Sequence, residues 1–180
     1  LNYYSWAKFL EKVNSDEVLV RVLGKLELAT PRRMDLSIYR KILQEEFEYN
    51  TCFYCGCKLK SAPHVDHVIP WSFVMNDELW NLMPMDSSLN SSKSNRLPQW
   101  DKFFMRFAQN QYTMYEMVHE KAGIRKLYES CYRDNLHSIW ASQELYRKGN
   151  SREEFYGILE RNMRPVWESA RRQGYEVWQM

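Results

Sequence analysis

The chain reads as an α+β protein, mostly helical, with a short strand-loop-strand-helix unit embedded between flanking helices. Three observations lead there. Apolar residues recur at helical spacing before residue 50 and again after residue 99. Between them, Gly56, Pro63, Pro70 and Pro84, with many Ser and Asn, break any long helix. Inside that broken stretch Val65, Val68 and Ile69 favour extended backbone. The division that follows is a helical support over 1–50, a core unit over 51–98 and a helical region over 99–180, forming one compact domain overall.

In the first part Tyr3, Trp6, Phe9 and Leu10 mark one helical stripe, and Leu36, Tyr39, Ile42, Leu43 and Phe47 a second, with Thr30-Pro31-Arg32 as a turn or helix start between them. After Gln99 the stripe Trp100, Phe103, Phe104 and Phe107 runs on through Tyr115 and Val118, and Ile124 to Trp140 carries another helical region in which Cys131 is packed. Ser151 and Glu154 have the spacing of a capping box for a last helix, which Pro165 should bend or restart.

Of 180 residues 44% are hydrophobic, enough for a core. The 25 basic residues are nearly balanced by 23 acidic ones, so charge alone does not announce a nucleic-acid binder. No apolar run reaches the roughly 18 residues of a membrane span. The opening residues lack the basic-then-apolar layout of a secretion signal, and a cytoplasmic location is the expectation.

The unusual polar residues all fall in the middle segment. In Ala62-Pro63-His64-Val65-Asp66-His67-Val68-Ile69-Pro70, a strand puts His64 and Asp66 on one face and His67 on the other, unless a bend near its end intervenes. Phosphodiester hydrolysis needs an activated water, a counter-charge and help for the leaving oxygen; a histidine can take the water's proton and a hard cation held by an Asp oxygen can serve the rest. Asn81, a single amide in the apolar run Leu79-Trp80-Asn81-Leu82, has the donor and acceptor to brace the loop carrying His67 and to fix its tautomer. Asp86-Ser87-Ser88 is rich in N-cap residues, and on the short helix after it Asn90, Lys93 and Ser94 share a side. An Asn90 oxygen can complete a magnesium shell with Asp66, while Lys93, Arg96 and His64 are candidate phosphate contacts.

This order and spacing, Cys52-x-x-Cys55, then Asp66-His67-Val68-Ile69-Pro70, then Asn81-Leu82, then Asn90-x-x-Lys93, resembles the HNH endonuclease family, whose site is the ββα-metal fold. The resemblance implies His67 as general base, Asp66 and Asn90 as ligands of one Mg2+ or Mn2+, and Asn81 in the place that orients the base. It also implies DNA as partner, and a setting among restriction and antiphage defence proteins with further domains or subunits. Many relatives complete a four-cysteine zinc knuckle with a second Cys pair; here those places hold Asp86 and Leu89, which argues against a structural Zn2+ on Cys52, Cys55 and Cys57 unless His64 or Asp86 joins them. Two rivals stand beside a DNA endonuclease: an RNA endonuclease, and a non-catalytic nucleic-acid binding module. Arg106, Arg125 and Lys126 on the later helices could meet further phosphates, whereas Arg161, Arg164, Arg171 and Arg172, interleaved with Glu160 and Glu168, read as a solvated face.

Overall fold

Why the middle segment becomes two short strands and a helix is clearest from its ends. The structure, a computed structural model, describes residues 35–46, 51–59, 64–131 and 136–180, without the side chains of 44–46, 136 and 137. The stripes expected at Tyr3–Leu10 and the Thr30-Pro31-Arg32 turn lie outside the described residues, as do Phe47 and Pro63.

Strand β1 (His64–His67) pairs antiparallel with β2 (Leu82–Met85), Asp66 facing Met83 and His67 facing Leu82. The strand ends earlier than its composition indicates: Val68 and Ile69 form a bend, because Pro70 has no N–H to continue the ladder. Pro70 instead starts helix α2 (Trp71–Val74), closed by Met75 in the left-handed region at φ 52°. A 3-10 turn, Leu79–Asn81, then leads into β2. Helix α3 (Ser87–Lys93) starts where the run of cap residues places it: the Asp86 carboxylate accepts from the N–H groups of Ser88 and Leu89. Ser94 does not share the helix face with Asn90 and Lys93, for at φ 48° it leaves the helix as its C-cap.

This ββα ribbon is too small to bury a core and rests on helices from both flanks. Upstream, α1 (Ser37–Glu46) is opened by the Asp35 side chain, which accepts from the Ser37 N–H, and it buries Tyr39, Ile42 and Leu43 against β2 and the later helix at Ala122–Cys131. Downstream come α4 (Trp100–Glu120), α5 (Ala122–Cys131), and α6 (Leu136–Trp140), which runs on into a π-helical turn at Ala141–Leu145. The last helix, α7 (Arg152–Arg172), begins with the capping box of Ser151 and Glu154.

Pro165 does not restart α7, which continues through it. The proline stands on the exposed side, while Leu159, Met163, Trp167 and Ala170 keep one unbroken buried stripe. Packing of that stripe on α4 outweighs the missing hydrogen bond. The arginine-rich face of α7 is a solvated one, with Arg164 paired to Glu160 at 3.0 Å and to Glu168 at 3.3 Å.

The chain's last residues close the core beneath the ribbon. Leu97 and Val177 form a parallel bridge that draws Trp178 inward, where its ring meets Tyr54 edge-on at 5.2 Å and its indole N–H donates to Ser92 Oγ of α3. Phe53, Phe103 and Phe107 complete the aromatic floor. Trp178→Ala is expected to cost about 3–5 kcal/mol, the range for emptying a buried aromatic site. Trp178→Phe should recover part of it. Urea unfolding measures both, and a loss under about 1 kcal/mol for the alanine variant would show that Trp178 does not hold the floor.

Candidate functional site

β1 and α3 lie against each other, and the residues with chemistry meet along that seam. His64 and Asp66, two apart on the strand, face Asn90 and Lys93, three apart on the helix. At the exposed end the Asn90 amide donates to His64 Nδ1 across 3.4 Å. At the buried end Lys93 Nζ donates to Asp66 Oδ1 at 3.1 Å and to the His67 carbonyl at 2.9 Å.

Lys93 is therefore not on the surface. Its side chain is 0% exposed, so a phosphate cannot reach it, and the role expected of it as a nucleic-acid contact is corrected. A lysine this deep is tolerated because its ammonium has a carboxylate and a carbonyl as acceptors. Arg96 is half-buried and turned back on α3, donating to the carbonyls of Ser92 and Lys93. His64 remains exposed.

Asp66 is buried, and its second oxygen accepts from the Tyr54 hydroxyl at 2.9 Å. Burial first, then the adjacent Asp66 carboxylate, push the Tyr54 phenol well above its ordinary range, so it stays a donor. Each carboxylate oxygen thus has one partner and keeps lone-pair capacity. With the Asn90 carbonyl oxygen, which its bond to His64 leaves out, the donors on the β1–α3 seam are hard oxygens of the type Mg2+ takes. Among the described residues no three His, Cys, Asp or Glu side chains form a metal-holding cluster.

His67 faces the other way, toward the loop between α2 and the 3-10 turn. Its Nε2–H donates to Asp77 Oδ1 at 2.7 Å; the imidazole is 9% exposed and the carboxylate 2%. Asp77 is fixed in turn by Tyr39 of α1, whose hydroxyl donates to its carbonyl at 2.5 Å. Asn81 does not touch the imidazole. It spans the loop as a clamp, Oδ1 accepting from the Ile69 N–H at 2.8 Å and Nδ2 donating to the Ile69 carbonyl at 2.9 Å. The loop-bracing role expected of Asn81 is present, and the imidazole is held by Asp77 instead. Asp77 was missed because Asn76-Asp77-Glu78 reads as a polar turn; its ten-residue spacing from His67 carries no periodic signal.

The cysteines form a tight turn. The Cys52 N–H donates to the Cys57 carbonyl, the Gly56 N–H to the Cys52 carbonyl, and Gly56 takes φ 71°. Cys52 is buried, Cys55 half-buried and Cys57 exposed, all as free thiols. His64 and Asp86, the side chains offered to join them, are engaged at α3. On the later helices Arg106 lies over the Phe53 ring at 5.7 Å, and Arg125 donates to the carbonyls of Val118 and His119 at the end of α4. No helix among the described residues is long and apolar enough to cross a membrane.

Asn81→Ala removes the partners of both Ile69 backbone groups and should cost about 2–6 kcal/mol, at about 1–3 for each orphaned group. Denaturant unfolding decides it, since a loss below 1 kcal/mol would mean water or another group replaces the clamp. A second expectation concerns Asp86, whose carboxyl is held below its ordinary range by the Ser88 hydroxyl, the Leu89 N–H and the nearby His64. A carboxyl depressed on folding stabilises above its unfolded pKa of about 3.9 and loses that contribution as pH falls through the lower folded value. The melting-temperature gap between the protein and Asp86→Ala should therefore be full at neutral pH and narrow in acid below about pH 4. A gap constant from neutral to acid would show that the cap does not depend on the carboxylate charge.

Residues 52–99 match the family model described as HNH endonuclease. No curated protein and no solved structure gives a significant match to the chain.

Proposed function

We propose that the chain, whose residues 52–99 match the family model described as HNH endonuclease, is a metal-dependent DNA endonuclease that hydrolyses phosphodiester bonds with His67 as general base. One observation carries the reading: β1 delivers Asp66 and His67 side by side where α3 packs with Asn90. On this reading His67 takes a proton from a water, with Nδ1 as the accepting atom because Nε2–H is committed to Asp77. Asp66 and Asn90 would hold one Mg2+ or Mn2+, with water and substrate oxygens completing its shell. When bound, that ion supplies the counter-charge for the phosphorane and assists the departing oxygen.

The chain's other residues divide the remaining work. Lys93 and Tyr54 hold the Asp66 carboxylate in place, one at each oxygen. Asn81 keeps the bend at Ile69 closed, so that the end of β1 presents His67 in a fixed position. His64, exposed beside Asn90, is the group on this seam that can meet a phosphate neighbouring the cleaved one. With Lys93 buried and Arg96 turned inward, backbone affinity falls to groups such as His64 and the exposed Arg106 rather than to α3's own cations. The match to an HNH endonuclease model supports a restriction or antiphage setting, with further domains or subunits choosing the target.

The purified chain should nick or cut supercoiled plasmid with Mg2+ or Mn2+, and chelator should abolish the activity. His67→Ala should reduce cleavage at least about 100-fold while the fold persists. Structured RNA assayed in parallel separates an RNA endonuclease from a DNA one, and binding without cleavage of either substrate would identify a non-catalytic module. Undiminished turnover by the H67A protein would remove His67 as the base.

A further inference from the structure

We infer that Asp77 is the positioning residue for His67, setting the imidazole tautomer so that Nδ1, not Nε2, is free to accept a proton; the inference rests on the nuclease reading above. The contact is short and sheltered. His67 Nε2 and Asp77 Oδ1 are 2.7 Å apart, and the carboxylate is the more deeply buried partner. Among the described residues no hydrogen bond occupies Nδ1, the nitrogen left on the ring's other side.

Asp77 is itself built in rather than drifting on a loop. The Tyr39 hydroxyl from α1 holds its carbonyl. Two residues on, Gln111 of α4 donates to the Leu79 carbonyl at 3.2 Å, and the Asn81 clamp closes the far end of the loop. Between those anchors the Asp77 backbone has little freedom to move relative to β1. A neutral imidazole bears one ring proton, and a carboxylate can only accept; the proton therefore resides on Nε2, and Nδ1 carries the lone pair. Were the proton on Nδ1, the ring would present a donor where a base is required.

A buried hydrogen bond could also serve only to tie the loop to the strand, and the two roles part at Asp77→Asn. The amide has nearly the shape of the carboxylate but can donate, which allows its NH2 to bond Nε2 and force the proton onto Nδ1. Long-range proton–nitrogen NMR of the 15N-histidine-labelled full chain at about pH 8.5, above the ordinary histidine range, reads the tautomer of each of the 4 histidines. The His67 signals are identified by their loss in H67A. The unaltered protein should show the Nε2–H form at His67. In D77N the proton should shift to Nδ1, and kcat for plasmid cleavage should fall at least about 100-fold with KM little changed, as expected for a base in the wrong tautomer. An Nδ1–H tautomer in the unaltered protein overturns the inference, whether or not D77N folds. So does a folded D77N that keeps the Nε2–H tautomer, or that cleaves within about threefold of the unaltered protein. If the unaltered protein cleaves nothing, the nuclease reading fails while the tautomer measurement still decides the geometry.

Discussion

A wholly buried ammonium organises this site. Lys93 sits at the end of α3 with no surface exposed, and a charge in that position is stable only with acceptors around it. It takes one from the Asp66 side chain and one from the His67 backbone, adjacent residues on β1. The helix is thereby fixed to the strand at a single register. A one-residue slip of β1 would exchange the faces of Asp66 and His67 and leave the ammonium without its carboxylate. Asn90 stands one turn earlier on the same helix, so its closeness to His64 follows from the same constraint.

Around that node the polar groups fall into two separate pairs. Asp66 is bound by Lys93 and Tyr54 on the α3 side, and His67 is bound by Asp77 on the loop side. Neighbouring residues of one strand are thus held by different parts of the chain: the cysteine-turn segment and α3 for the carboxylate, the loop anchored by α1 and α4 for the imidazole. On the proposed nuclease reading this separation is useful, because the group proposed to hold a cation and the group proposed to take a proton need different surroundings. It also makes the imidazole depend on Tyr39 and Gln111, residues far from it in sequence.

Much of this was legible in the sequence. The order Asp66-His67, Asn81, Asn90 placed the seam between strand and helix, Asp86 announced the start of α3, and Ser151 with Glu154 announced α7. What could not be read was tertiary. Lys93 looked like a surface cation because lysines usually are, and its burial depends on a carboxylate 27 residues away. Asn81 braces the loop but does not reach the imidazole, because the Ile69 N–H and carbonyl occupy both ends of its amide. Asp77 carries no spacing signal, and nothing in the sequence ties Tyr54 to Asp66. Pro165 has a local cost, but the buried stripe on either side of it decides the outcome.

The size of the family segment explains why so much chain surrounds it. Two strands of four residues and a seven-residue helix bury few apolar groups of their own, and a lone two-stranded ribbon is at best marginal in water. Leu82, Met83 and Met85 are nevertheless almost fully buried, so the surface that covers them comes from outside the ribbon. α1 lies on β2, Gln111 of α4 holds the turn that enters it, and Trp178 fills the space between α3 and the aromatic floor. Each of those residues is fixed to a backbone or ring that positions a group of the candidate site. Residues 52–99 therefore carry the chemical groups, while their precision is set by elements upstream and downstream. Variation in those elements should move the site's geometry before it alters which residues the site contains.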